Sequence, residues 1–183
     1  METTIRRATA ADLEGLVELA AATFPLACPE GTAPEAITAH VAAHLGPESF
    51  ARWTASADHV LLVAEDADVP GRLAGYALLA CYRTTDPGMV RLVGEGPAVE
   101  LSKIYVRADA HGSGVATALL AAGLDLVSTT WPDAPVWLGT HSTNLRAQRF
   151  YRKHDFELAG TRTFFVGDEA QDDVVMLRRV PTV

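Results

Sequence analysis

The stretch Glu100-Leu-Ser-Lys-Ile-Tyr-Val106-Arg-Ala-Asp-Ala-His111-Gly112-Ser113-Gly114-Val115-Ala116-Thr117-Ala-Leu-Leu120 decides the fold. Glu100 to Val106 has the length and apolar content of a strand. A short polar turn and two glycines follow. A strongly apolar helical pattern then runs from Gly112 to Thr129, carrying Val115, Leu119, Leu120, Leu124, Leu126 and Val127. A strand that passes through a glycine turn into a helix start outlines an anion site. The first N–H groups of a helix have no internal partner, and its dipole favours negative charge there. Gly112 and Gly114 let a ligand approach the backbone with no side chain in the way. A phosphate or diphosphate is the natural guest. Three readings of the turn compete. A P-loop needs Gly-Lys-Ser/Thr at its end, and Gly114-Val115-Ala116 supplies no lysine. A dinucleotide turn wants Gly or Ala where Thr117 stands, and an acid after the next strand; Val136-Trp137-Leu138-Gly139-Thr140 ends in none. A softened turn that binds nothing is the third.

Outward from this stretch the elements alternate. Thr3 to Arg7 reads as a short edge strand and Thr9 to Thr23 as a helix. Thr9 and Asp12 resemble a capping box, and Leu13, Leu16, Val17, Ala20 and Phe24 share a face. Thr32-Ala33-Pro34-Glu35 starts a second helix with Ile37, Val41 and Leu45 as its stripe, and Glu48 to Ala55 forms a third piece. Val60 to Glu65 and Leu73 to Tyr82 make a hairpin around Pro70-Gly71. Thr84 to Ala98, with Pro87, Gly88, Gly94, Gly96 and Pro97, reads as a long loop. Pro135 to Thr140 is a strand. Thr143 to His154 is a helix capped by Ser142 or Thr143, and Glu157 to Val166 and Asp173 to Arg179 are closing strands. The expected class is α/β with a mixed sheet covered by helices, as one domain over residues 1–183.

Composition bounds the function. The chain has 183 residues, 49% hydrophobic and 7% aromatic, which suits a packed core rather than disorder. Its net charge of −8 argues against nucleic acid, which needs a basic face. It is compatible with a cationic substrate. No apolar run approaches the length of a membrane span, and Asp12 and Glu14 interrupt any leader-like start, so a cytoplasmic protein is expected. Cys28 and Cys81 have no metal-type or redox-type neighbours, so free thiols and no metal are expected.

Two blocks resemble the GNAT superfamily of N-acetyltransferases. His111-Gly112-Ser113-Gly114-Val115-Ala116 is similar to that family's Gln/Arg-x-x-Gly-x-Gly/Ala loop, after a strand like its central one, Leu101-Ser102-Lys103-Ile104-Tyr105-Val106. Asn144-Leu-Arg-Ala147-Gln-Arg-Phe150-Tyr151-Arg-Lys153-His-Asp155-Phe156 is similar to its Asn-x-x-Ala-x-x-Phe-Tyr-x-Lys-x-Gly-Phe segment. His111 replaces Gln or Arg, and Asp155 replaces a glycine. Trp137-Leu138-Gly139, Gly160 to Asp168 and Gln171 to Met176 further resemble bacterial polyamine (spermidine/spermine) acetyltransferases of the Pai type. The likeness is firm from Glu100 to Arg178 and loose over the N-terminal helices.

The resemblance implies the GNAT fold: a mixed, mostly antiparallel sheet of six to seven strands, splayed in the middle and flanked by about four helices. It implies acetyl transfer from acetyl-CoA to a primary amine such as a polyamine, by direct transfer in a ternary complex. The coenzyme would meet Ile104, Tyr105, Val106, His111, Gly112, Ser113, Gly114, Val115, Ala116, Thr117, Asn144, Tyr151 and Lys153. Tyr151 would be the general acid. For the base, Glu100 leads Glu30, His40 and His44, because a carboxylate on a central strand is unusual unless it works. An acidic cleft of Glu30, Glu35, Glu95 and Glu100 would suit a polyamine. Another amine acceptor and a coenzyme-binding regulatory module are the alternatives. Edge strands make a homodimer reasonable.

Overall fold

The computed structural model describes residues 2–28, 31–166 and 169–180. Glu30, Gly167 and Asp168 lie outside the described residues. Along the chain, β1 (Thr3–Arg7) leads to α1 (Leu13–Thr23), α2 (Pro34–His44) and α3 (Pro47–Ala55). Then come β2 (His59–Asp66), β3 (Leu73–Tyr82), α4 (Pro87–Val93), β4 (Ala98–Val106) and α5 (Val115–Thr130). The chain continues with β5 (Val136–His141), α6 (Leu145–Arg152), β6 (Glu157–Val166) and β7 (Glu169–Arg178). The seven strands lie in the order β1-β2-β3-β4-β5-β7-β6, a mixed and mostly antiparallel sheet. No helix among the described residues is long and apolar enough to cross a membrane.

The chain forms two compact units. One holds the chain up to Leu79 together with Lys103–Leu126; the other holds Ala80–Ser102 and the chain from Val127 onward.

In the first unit β1 runs antiparallel to β2, from Thr3↔Asp66 to Arg7↔Leu62. Burial of Leu16, Leu19, Ala20, Leu45, Phe50, Leu61, Val63, Leu73, Tyr76 and Leu78 drives its packing. The start of α1 is set by Asp12. Its carboxylate accepts the Thr9 N–H at 2.7 Å, the Thr9 hydroxyl at 2.9 Å and both Arg6 nitrogens at 2.8 Å. The Arg6 guanidinium and the Thr9 donors hold that buried carboxyl down at about 2. Glycine lets α5 approach the strands: a Cβ at Gly123 would lie 2.9 Å from Leu79 Cδ1.

In the second unit Met89, Val93, Ala98, Trp137, Val175 and Leu177 form the core. β6 and β7 make a long antiparallel hairpin with an irregularity between Leu158 and Gly160, and β7 also pairs antiparallel with β5. β4 and β5 are parallel. Their register comprises Val99↔Val136 and Glu100↔Trp137; β4 then continues to Val106 and β5 to His141.

Several expectations need correction. The expected loop from Thr84 to Ala98 contains α4. Asp86 Oδ1 accepts the Met89 N–H at 2.7 Å, Pro87 stands at the first position, and Gly94 (φ 99°) ends the helix. Met89 and Val93 reward it with burial. The described residues hold six α-helices rather than about four. The cap of α6 is Asn144, not Ser142 or Thr143: its Oδ1 accepts the Ala147 N–H at 3.0 Å. β7 begins at Glu169, because its pairing with β6 extends past Asp173. The glycines at 112 and 114 precede α5 and do not belong to it. Asp155, where the family has glycine, is left-handed at φ 65°. Aspartate tolerates that region better than most residues.

Candidate active site

In the first unit the glycine turn is clamped before it begins. The Arg107 N–H donates to Ala74 O at 2.9 Å, and its guanidinium donates to Leu73 O at 2.8 Å and Glu18 Oε1 at 2.7 Å. Arg72 pairs with Asp109 and Asp66. A 3-10 turn, Ala108–Ala110, then feeds residues 111–114. Gly112 has φ 80° and Gly114 φ 92°, in the left-handed region where glycine is favoured. A Cβ at either would touch nothing within 4 Å, so the backbone conformation, not crowding, demands glycine. Residues 111–114 are exposed, Val115 is buried and anchors the helix, and Ala118 N–H bonds Gly114 O at 2.9 Å. The Ser113 N–H is engaged by Ala110 O at 3.3 Å, and its hydroxyl donates to the same oxygen at 2.7 Å. His111 Nε2 donates to Val106 O at 3.0 Å, which turns the ring onto the end of β4.

Ile104 and Val106 are half-buried on β4. The Tyr105 ring stacks on Tyr76 with centroids 5.5 Å apart and meets Phe24 at 6.4 Å. Burial pushes its phenol up to about 12, so it stays protonated. Tyr105 is therefore a half-buried side chain packed against the core of this unit. His40 stacks on Phe24 at 4.5 Å, with His44 at 4.6 Å. Burial, then His44 and Lys103, lower the His40 pKa, so this ring is neutral at pH 7.

In the second unit Glu100 stands in a polar cluster that sequence reading did not assemble. Its Oε2 accepts the Tyr82 hydroxyl at 2.9 Å, and its Oε1 lies 3.8 Å from Arg162 Nη1. Arg162 Nη2 lies 3.5 Å from Asp173 Oδ2, and the guanidinium covers the Trp137 ring at 5.1 Å. Burial raises the Asp173 pKa while Arg162 pulls it down. Burial and Glu100 push the Tyr82 phenol well above its usual value. Glu95 and Glu35 are exposed. The signal for Arg162 and Asp173 was present as polar residues inside apolar strands, but only their direct cross-strand register unites them.

Asn144 is exposed at the start of α6; with Oδ1 used in capping, its Nδ2 keeps two donors. Tyr151 is 8% exposed, edge-on to Phe156 at 5.8 Å and beside Phe150 at 5.2 Å. Gln148, buried, ties α6 to Ser142 O at 2.8 Å. Lys153 is exposed at the end of α6. Among the described residues, no group of three or more His, Cys, Asp or Glu could hold a metal ion.

The profile of the acetyltransferase (GNAT) family matches residues 14–156. An uncharacterized N-acetyltransferase of Mycobacterium tuberculosis is 39% identical over 169 residues, covering 92% of this chain and 98% of the relative. Its Mycobacterium bovis counterpart matches to the same extent. Among solved structures, the PaiA N-acetyltransferase of Thermoplasma acidophilum with coenzyme A is similar at TM-score 0.76 and 19% identity, over 98% of this chain and 99% of that one. Arabidopsis thaliana NAA60 with a bisubstrate analogue is similar at TM-score 0.74 and 19% identity, over 97% and 98%. The fold is that of these solved acetyltransferases. The chain belongs to the GNAT acetyltransferase family and is an acetyl-CoA-dependent enzyme.

Proposed function

We propose that residues 1–183 act as one domain that moves acetyl from acetyl-CoA to a primary amine in a ternary complex, with a polyamine as the acceptor. The observation that carries this reading is the strand-to-helix turn at Gly112 and Gly114, whose left-handed glycines stand before the first donors of α5. The N–H groups of Gly112 and of Gly114 to Thr117 would take the diphosphate, while Ser113, whose N–H is held by Ala110 O, would shape the turn. His111 braces the turn through Val106. Backbone groups of Ile104, Tyr105 and Val106 would pair with the pantetheine arm, as a strand pairs with an edge. Asn144 Nδ2 and the Lys153 ammonium would hold the rest of the coenzyme.

The chemistry has three needs. An alkyl ammonium has a pKa near lysine's ~10.4, so its neutral form at pH 7 costs about 4–5 kcal/mol. Glu100 takes one proton from that ammonium, directly or through water, and later passes it to solvent. The nitrogen lone pair then forms the C–N bond as the C–S bond breaks. Backbone N–H groups of β4 stabilise the charge gathering on the carbonyl oxygen. The leaving thiolate takes the Tyr151 phenolic proton. The phenol is restored by the proton the new amide nitrogen sheds.

A polyamine is supported by the Pai-type resemblance and by the acidic charge of −8. The test is a panel of spermidine, spermine, amino acids, an aminoglycoside and a peptide N-terminus, with acetyl-CoA and a thiol-detecting dye. Spermidine should release thiol fastest. Release with none of the amines would leave a coenzyme-binding module, and a faster different amine would replace the polyamine.

A further inference from the structure

We propose that Lys103 is itself an acceptor: the enzyme transfers acetyl from its own bound acetyl-CoA to the Lys103 side-chain nitrogen and leaves a neutral amide on β4. The proposal rests on the reading that the thioester lies along Ile104 to Val106.

Lysine is scarce in this chain. Of its 15 basic residues only Lys103 and Lys153 are lysines, and the rest are arginines. A guanidinium keeps its charge and takes no acetyl group, whereas a lysine nitrogen becomes a nucleophile once it loses a proton. One of the two lysines stands on β4 directly before Ile104. Lys103 is half-buried, and its Nζ lies over the Trp53 ring of α3, 4.9 Å from the centroid. Arg52 approaches the same ring at 5.9 Å. Trp53 meets Phe50 edge-on at 5.2 Å, Phe50 meets Tyr76 at 5.6 Å, and Tyr76 stacks on Tyr105. The series of rings thus returns to β4 two residues past Lys103, so both side chains border one aromatic cluster. Burial lowers the pKa of His40 on α2 and of His59 on β2, and the Lys103 charge adds to both shifts. All of these groups belong to the first unit.

This placement makes the transfer intramolecular. The Ile104 N–H is bonded to the carbonyl carbon of Lys103, so a thioester held at that N–H falls within the reach of the lysine stem, about 6 Å. The Lys103 ammonium first gives one proton to water. Its lone pair then forms the C–N bond at the thioester carbon as the C–S bond breaks. The thiolate takes the proton that the new amide nitrogen sheds. One acetyl group has moved, one free thiol has formed and one proton has gone to solvent. Well-oriented neighbours react as if present at about 10⁵–10⁸ M. Even a small part of that advantage sets Lys103 apart from Lys153, which is exposed at the end of α6. The acetylated side chain gives up its charge and its cation–π contact with Trp53. One positive charge fewer then stands beside the thioester, where a cationic acceptor would meet it.

The full chain is incubated with trideuterioacetyl-CoA and no added amine, then read by intact mass and peptide mapping. Acetyl already present from expression is counted with the heavy label. Lys103 should take the label about 100-fold faster than Lys153, at a first-order rate that stays the same over a tenfold range of protein concentration. In the urea-unfolded chain the two lysines should label alike. Lys103→Arg should lose the label at this position and still release thiol with spermidine or the best acceptor of the panel. The wild-type labelling decides the matter without any variant. Equal labelling of Lys103 and Lys153 in the folded chain would be reaction from free solution and overturns the proposal. So does a rate that rises with protein concentration, which is transfer between molecules. If the amines of the panel are acetylated and Lys103 is not, the proposal falls and the reading of acetyl transfer stands. If neither Lys103 nor any amine gains acetyl, that reading fails and takes the proposal with it.

Discussion

Replacing Gly114 with alanine adds one methyl group to the turn ahead of α5. That methyl would meet no atom within 4 Å, so no clash contributes. The cost comes from the backbone, because φ is 92° there. A left-handed residue with a Cβ costs roughly 1–2 kcal/mol. The protein has two ways to bear this. If the turn keeps its shape, folding stability falls by about 1–2 kcal/mol and coenzyme affinity stays. If the turn relaxes to negative φ, stability is spared, but binding must restore the strained shape. Coenzyme A then binds about 5- to 30-fold more weakly, the same energy expressed as an equilibrium constant. The two losses should therefore sum to about 1–2 kcal/mol. Calorimetric titration with coenzyme A, ADP and pantetheine, beside thermal unfolding without ligand, separates them. Any weakening should affect coenzyme A and ADP but spare pantetheine, which lacks the diphosphate. Unchanged affinity for coenzyme A together with unchanged unfolding would refute the strained-turn argument. Equal weakening for pantetheine would remove the diphosphate from it.

Tyr151→Phe keeps the contacts with Phe150 and Phe156 but removes the phenolic proton. With saturating acceptor, kcat should fall at least about 100-fold, and a change within twofold would end the acid assignment. Asp12 has a folded pKa of about 2 against 3.8 in the open chain, because Arg6 and Thr9 favour its charged form. The depressed value means its stabilisation, about 2 kcal/mol, is present above pH 4 and is lost as pH falls from about 4 to 2. Asp12→Asn should therefore lower stability at pH 7 and flatten the acid limb of an unfolding-versus-pH curve between those values. Gly75→Ala sets a Cβ 2.8 Å from the backbone oxygen of Tyr105, which cannot swing aside as a side chain would. Denaturant unfolding should register a loss of about 1–3 kcal/mol.

Much of the fold was legible because its signals are local. The hairpin around Pro70-Gly71, the first helix with its Asp12 anchor and the strand into Gly112 and Gly114 are each set by neighbours within a few residues. The helix at Pro87–Val93 had equally local signals in Asp86, Pro87 and Gly94, but glycine and proline in the flanking chain obscured them, and burial of Met89 and Val93 settled its existence. Glu100 could be singled out as a carboxylate on a strand, and Tyr151 through the family resemblance. Their surroundings could not.

What the order of residues determined by itself was the glycine turn, because backbone conformation depends on the residue in place; the cap of α6 at Asn144 emerged only in the structure. Tertiary structure alone decided that Glu100 meets Tyr82 and Arg162, that Asp173 stands opposite Arg162, and that Gly139 leaves room for the Arg162 guanidinium. Those meetings depend on strand register across five different strands. A shift of one residue in any strand would turn the side chain to the other face, and no local pattern encodes that choice.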